Sequence, residues 1–546
     1  MMNEKWSIPP FLMKTGRPME YIVRWPVIPG MTMFLRRPHA GPGSSPGTAH
    51  SGADQGVRRV AGARACPVSG TPAGCGARTA PAAAHALPTG RLALAAALGL
   101  ASTAAILQLP GWPWPARLSL LAALACLIAW TVLRWADTPV AVAACLALVG
   151  LQVVSPLTLA ATVVDPLLWL MAGAFVLSAA LRLSGVAERL LRLGLGADGQ
   201  RFDSLCGRLT LLIAATAFVI PSTSARAALL LPLCLGLMPH LSPAQARALA
   251  LLCPTVILLS AGGVLTGAGA HLVTLDFVRT QGGPAWHWLD WLRLAGPFAL
   301  GSCALATAVI LRAVPPAERR QRVTVATPLA APAAPTPWTH AQRPVAAIAA
   351  LAVLGWATGA TLGLQPAAVA VIAALAVLTG GTGLQPGRVL RQVEWRLLLF
   401  MAASQVLGEA LLTSGAASAL AAQALNGLAL SQAAPGTLYA LAAVVAVLAH
   451  GVVPSRTARA VVLLPTVVLP LAATGLNPAL LAMLVVQGTG FCQTLSASAK
   501  PVAVFARVPG GFTPADLLRL ASVLAPALVL WLLVHALWVW PALGLR

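Results

Sequence analysis

Two short stretches of this 546-residue chain carry a proline, hydroxyls and arginine in the same order. The first is Pro221-Ser222-Thr223-Ser224-Ala225-Arg226 and the second is Pro454-Ser455-Arg456-Thr457-Ala458-Arg459. Aligning 221–233 with 454–466 gives eight identities in thirteen positions, and the shared residues include Pro, Ser and Arg as well as Ala and Leu. Proline interrupts a helix, and Ser or Thr just after it caps the next one, so each stretch predicts a helix–break–helix with hydroxyls and free N–H groups at its tip. Such a tip suits reversible binding of a small polar or anionic solute. No HExxH, GxSxG, Walker or paired-carboxylate motif accompanies it in the apolar part of the chain, so no enzyme is expected.

Each tip is followed by a stretch that should unwind. Four glycines fall within eight residues in Gly262-Gly263-Val264-Leu265-Thr266-Gly267-Ala268-Gly269. The second stretch runs from Gly488-Thr489-Gly490 to Thr494-Leu495-Ser496-Ala497-Ser498-Ala499-Lys500-Pro501. The expected substrate ligands are Ser222, Thr223, Ser224, Thr266, Ser455, Arg456, Thr457 and Lys500. Arg226, Arg459, Gly262, Gly263, Gly269, Ser496 and Ser498 are expected to support them. A charge at membrane depth costs ~2.5 kcal/mol or more without a partner or water, so Arg456 is expected to meet an anion rather than Glu409. Arg226 and Arg459 either turn back to the tips or brace the hairpins. Asp165 and Glu394 are expected at the membrane interface, and His271 and His450 as plain hydrogen-bonding side chains. No metal cluster is expected.

The elements that must position these residues are membrane helices. The chain is 58% hydrophobic and 9% charged, far from the roughly one-quarter charged composition of soluble domains. Apolar runs near 92–110, 116–133, 139–160, 166–184, 248–277, 292–312, 344–362, 366–384, 397–412, 479–506 and 516–540 each approach the ~20 residues a span requires. The fold expected is an all-α polytopic membrane protein with about 11 transmembrane helices. The two leftover stretches, 206–238 and 436–470, are its re-entrant hairpins, since a non-helical tip is tolerable only beside protein or a water-filled cavity.

Lys and Arg number 36 against 14 Asp and Glu, a formal net charge of +22. Ten of the basic residues precede Arg91, in a Gly/Pro/Ala-rich stretch over 1–88 that reads as a disordered tail. Most of the rest fall in loops of one side if the N-terminus is cytoplasmic and the C-terminus outside, so the charge marks topology and no nucleic-acid partner is expected. With that topology the two hairpins enter from opposite faces. The chain then divides into a first repeat at 89–312, a cytoplasmic linker at 313–343 and a second, inverted repeat at 344–546, the architecture of secondary transporters. Cysteines scattered singly through the spans read as small buried side chains. Trp112, Trp114, Trp286, Trp288, Trp531, Trp538 and Trp540 read as interfacial anchors.

The tips resemble those of the divalent anion:sodium symporters (solute carrier family thirteen), which carry dicarboxylates, citrate or sulfate. Ser222-Thr223-Ser224-Ala225-Arg226 with Pro232 and Ser455-Arg456-Thr457-Ala458-Arg459 with Pro465 look like the family's two Ser-Asn-Thr tips. Gly262-Gly263 with Thr266 and Gly269 looks like its first unwound loop, and Trp540-Pro541-Ala542-Leu543-Gly544-Leu545 like its ending. The resemblance implies an elevator-type homodimer in the lipid bilayer and a small divalent anion as cargo. The family's tip Asn is replaced by Thr223 and Arg456, and the Asn after each unwound loop by Val273 or Thr274 and by Val502. Fixed positive charge at Arg456 and Lys500 thus takes a cation's place, and the expected coupling is exchange or proton coupling, with sodium as the lesser alternative and no other cofactor. The rival function is a cation/proton antiporter or arsenite-type carrier of the wider ion-transporter superfamily, which favours acidic or neutral sites.

Overall fold

The computed structural model describes residues 89–195, 199–323, 337–428, 433–453, 455–495 and 498–545. The expected tail over 1–88 lies outside them, as do Pro454, Ser496 and residues 324–336 of the linker.

Helix boundaries follow the prolines and small polar caps. The chain begins with α1 (Thr89–Leu107), α2 (Trp114–Thr131), α3 (Asp137–Gly150), α4 (Pro156–Val164), α5 (Pro166–Leu183) and α6 (Val186–Leu195). The Thr158 N–H donates to Ser155 Oγ at 3.1 Å and the Leu167 N–H to Asp165 Oδ1 at 2.7 Å. Pro156 and Pro166 stand in the first turn, where a missing N–H has no helical partner to lose. The single span expected over 139–160 is therefore corrected to two helices: Gln152 turns the chain at φ 58°, and Ser155 with Pro156 starts afresh.

The first hairpin is α7 (Phe202–Val219) and α8 (Thr223–Leu237), parted at Ile220–Ser222. After α9 (Pro243–Ser260) the chain makes two 3₁₀ turns, Ala261–Gly263 and Leu265–Gly267, and resumes as α10 (Gly269–Thr280) and α11 (Trp288–Arg312). A short ladder joins β1 (Gln200–Arg201) antiparallel to β2 (Arg322–Val323), which follows α12 (Pro316–Arg320). The start of the expected linker is thus docked on α7 and α9, where Gln245 Nε2 donates to the Glu318 carbonyl at 2.7 Å.

The second half runs α13 (Gln342–Leu362), α14 (Pro366–Thr379), α15 (Pro386–Arg391), α16 (Trp395–Thr413), α17 (Ala416–Leu428) and α18 (Pro435–Leu448). Then come α19 (Arg456–Leu463), a π-helical stretch Leu464–Val468, α20 (Leu469–Ala472), α21 (Pro478–Gly488), α22 (Lys500–Phe505), α23 (Pro514–Val534) and α24 (Trp540–Ala542). Pro465 has no N–H to give the regular ladder, which accounts for the widened turn. Apart from the two-stranded ladder, the regular structure of the described residues is helical, and eight helices are long and apolar enough to cross a membrane. The protein is an all-α, multi-pass membrane protein.

Packing partners are exchanged between the halves: α5 lies along α14 and α3 along α16, while α8 packs on α22 and α19 on α10. α1 exposes Leu92, Leu94, Leu98 and Leu100, the face expected against lipid. Several tryptophans expected as anchors are instead buried. Trp286 and Trp288 pack in the core, and Trp540 Nε1 donates to the Leu294 carbonyl at 2.9 Å, because the end of the chain folds back onto α11.

Gly173 allows α5 to touch α14. A Cβ there would lie 2.5 Å from the Ala370 carbonyl oxygen and 2.8 Å from its Cβ. Gly173→Val should therefore wedge the helices apart and cost about 1–3 kcal/mol. The check is thermal unfolding in detergent, where an unchanged midpoint would show that this crossing is slack.

Candidate functional site

Both tips and both unwound stretches open on one cavity of about 480 Å³. Its wall takes Ser222, Thr223 and Ser224 from the first tip and Ser455, Arg456 and Thr457 from the second. Gly267–Gly269 comes from the first unwound stretch, and Cys492, Ser498 and Lys500 from the second. The starts of α3 and α16 complete it with Asp137, Thr138, Glu394 and Arg396.

Local capping explains why the tips keep this form. Ser222 Oγ accepts the Ala225 N–H at 3.2 Å and Ser455 Oγ accepts the Ala458 N–H at 3.3 Å, so each serine closes the first turn of its helix. α8, α10 and α19 all begin at the cavity wall, where peptide N–H groups carry partial positive charge. Gly269 permits the first unwound stretch to lie against the second tip, since a Cβ there would come within 3.2 Å of Thr457 Oγ1 and 3.1 Å of Met401 Sδ. The first unwound stretch is held from behind by two helices: the Gly262 carbonyl accepts from Gln487 Nε2 of α21 at 3.2 Å and from Trp291 Nε1 of α11 at 3.1 Å.

The arginines separate by environment. Arg226 is fully buried and donates to Thr216 Oγ1 at 2.8 Å, the Ile257 carbonyl at 2.9 Å, the Ile213 carbonyl at 2.5 Å and Ser260 Oγ at 2.7 Å. It joins α7, α8 and α9 and does not line the cavity. Arg459, at the matching place of the second repeat, is also buried and reaches the Thr489 carbonyl at 2.7 Å and Cys492 Sγ at 2.8 Å. Arg456 does line the cavity, and its bonds to Thr489 Oγ1 and the Val486 carbonyl are both 3.4 Å, at the long limit. Glu409 lines a separate small cavity with Asp276, Ser404 and Gln405, away from Arg456.

Of the residues expected from sequence, Ser222, Thr223, Ser224, Ser455, Arg456, Thr457 and Lys500 come together, with Gly269 and Ser498 beside them. Thr266 is buried, Gly262 sits against Gln487 at the end of α21, and Gly263 sits against α11. His271 holds the first unwound stretch, with Nδ1 2.9 Å from the Val264 carbonyl, and His450 lies between the Val447 carbonyl and Thr494. Glu394, expected at the membrane interface, is corrected to a cavity residue bonded to Ser222. Asp137 and Arg396 were not expected in the site. They reach it because α3 and α16 pack together, and no spacing along the chain signals that.

The cavity thus holds three cationic side chains, Arg396, Arg456 and Lys500, against two carboxylates, Asp137 and Glu394. With three helix N-termini added, the balance favours a small anion.

Residues 120–486 match the model of a family described as citrate transporter (CitMHS). A "Membrane protein" of Cupriavidus necator is 24% identical over 316 residues, 55% of this chain and 60% of that protein's length. The crystal structure of the Alcanivorax borkumensis YdaH transporter, described as having an unusual topology, compares at TM-score 0.48 and 18% identity over 70% of this chain and 85% of that one.

Proposed function

This chain belongs to the citrate transporter family, and from that premise we propose that it is a secondary active transporter of small divalent anions, di- or tricarboxylates or sulfate. The observation that carries the proposal is the single cavity in which both tips present hydroxyls and helix N-termini beside Arg396, Arg456 and Lys500. Ser222, Thr223, Ser224, Ser455 and Thr457 would hold the anion's oxygens, Arg456 and Lys500 would neutralise it, and Ser498 and Gly269 would shape the seat. Ser496 is proposed to support the same seat, and Arg226 and Arg459 to brace the hairpins behind it. The likeness of the tips to the divalent anion:sodium symporters supports the divalent class.

Coupling is proposed to be independent of sodium. Thr223 and Arg456 stand where that resemblance would put Asn, and fixed cations already supply the charge that a bound metal ion would bring. The carrier is proposed to work as a homodimer of elevator type, with two inverted repeats, 89–312 and 344–546, a cytoplasmic N-terminus and an outer C-terminus. A cation or proton antiporter would draw on Asp137 and Glu394, but three cations outnumber them in the same cavity.

The test is thermal unfolding of the purified protein with citrate, succinate, malate, sulfate or phosphate, each with sodium or with choline as the only counter-cation. Ligand at a hundred times its Kd adds about 2.7 kcal/mol of stability. At least one divalent anion should raise the midpoint equally in both salts. Stabilisation by cations alone would overturn the anion reading, and stabilisation confined to sodium would overturn the coupling.

A further inference from the structure

Both tip serines share one cavity wall with two carboxylates supplied from outside the hairpins, Glu394 and Asp137. Ser222 accepts the Ala225 N–H and donates its own hydrogen to Glu394, which precedes α16. Ser455 accepts the Ala458 N–H and lines the same cavity as Asp137, the first residue of α3. The carboxylates come from one platform, because α3 and α16 lie along each other and Thr138 Oγ1 donates to the Arg396 carbonyl at 3.0 Å. A single rigid pair of helices therefore offers two acidic groups to two tips on the wall of one cavity.

A carboxylate bonded to the capping serine at a helix N-terminus occupies the place where an incoming anion would be held. We propose that Asp137 and Glu394 are a built-in surrogate for the substrate: without an anion the platform fills both tip seats with its own carboxylates, and the transported anion binds by displacing them. This rests on the anion-transport reading above and sharpens it into a rule of specificity. An anion with two acidic groups displaces both prongs and frees both tips together. A monoanion displaces one and leaves the other tip held. The cargo class is thus dianionic, with acidic groups spaced to reach both serines.

Two measurements test this. Calorimetric titration of Glu394→Gln and Asp137→Asn with the divalent anion that stabilises the wild type should show binding tighter by about tenfold in each variant, as expected for loss of one repelling charge and one internal competitor. Selectivity for dianion over the matching monoanion should narrow. Independently of any ligand, hydrogen exchange of the amides at 223–226 in Glu394→Gln, and at 456–459 in Asp137→Asn, should quicken in the anion-free protein, because an amide oxygen accepts more weakly than a carboxylate and holds the tip less firmly. Unchanged exchange at both tips, or anion affinity that is unchanged or weaker in both variants, overturns the inference. Wild-type protein that binds no anion while the tips still loosen in the variants defeats the transport reading and leaves the latch standing.

Discussion

Arg456→Ala is expected to weaken anion binding by at least about 30-fold, ~2 kcal/mol, while leaving the unfolding midpoint of the anion-free protein unchanged or slightly raised. The two halves of this expectation have one cause. Among the described residues the hydrogen bonds of Arg456 are two of 3.4 Å, to Thr489 Oγ1 and the Val486 carbonyl, so little of its hydrogen-bonding capacity is used there. A guanidinium at membrane depth with such weak partners is costly in the empty protein, and its removal relieves that cost. It becomes favourable only when an anion supplies the missing acceptors, in a cavity where the charge pair is poorly screened. Arg456→Lys keeps the charge and loses the planar fork, so it should fall between the two, with a larger loss for a bidentate carboxylate than for sulfate. The midpoint in graded anion concentrations gives affinity and empty-state stability in one series. A variant that loses stability but keeps the anion-induced shift would assign Arg456 to the fold and remove it from the site.

The contrast between arginines also explains what the sequence could reveal. The tip motif repeats Pro, Ser, Ala, Arg and Ala, and the repeated arginines, Arg226 and Arg459, are buried, the first bonded to α7 and α9 and the second to the second unwound stretch. The tips differ at Thr223 and Arg456 and at Ser224 and Thr457, and all four line the cavity. Repetition in this chain therefore covers both the capping serines on the cavity wall and the arginines packed behind it, and the two tips differ in charge at Thr223 and Arg456. The breaks themselves were legible, because proline and clustered glycine act on the backbone locally. So was the meeting of the two tips, which follows from repeated motifs in a polytopic chain. The role of Glu394 was not legible: its bond to Ser222 joins residues 172 apart, and a carboxylate at the end of an apolar run looks the same in sequence whether it meets a headgroup or a tip. Asp137 was missed for the same reason. The break at 150–156 was missed because Leu157 to Val164 continue the apolar composition of the run before it, and composition outweighed the Ser155-Pro156 signal.

Arg226→Ala is expected to have the opposite profile to Arg456→Ala, a loss of about 3 kcal/mol or more of stability that no anion restores. Four donated bonds of 2.5 to 2.9 Å connect Arg226 to Ile213 and Thr216 of α7 and to Ile257 and Ser260 of α9. Among the described residues no carboxylate forms an ion pair with it, so neutral carbonyls and hydroxyls solvate the charge. Alanine would remove these bonds together, leave a void the size of the side chain, and strand the hydroxyls of Thr216 and Ser260 without their cationic partner. Arg226→Met fills the void but restores no bond, so it should recover the packing part of the loss only. Arg226→Lys supplies one ammonium where a fork spans two helices, and should hold α7 or α9 but not both. Because Arg226 is on α8 one turn past Ser222, loosening it frees the first tip, and anion binding should weaken in proportion to the unfolding midpoint across the three variants. Binding lost with the midpoint intact would instead mean that this guanidinium reaches the solute, and that the two repeats use their shared arginine for the anion.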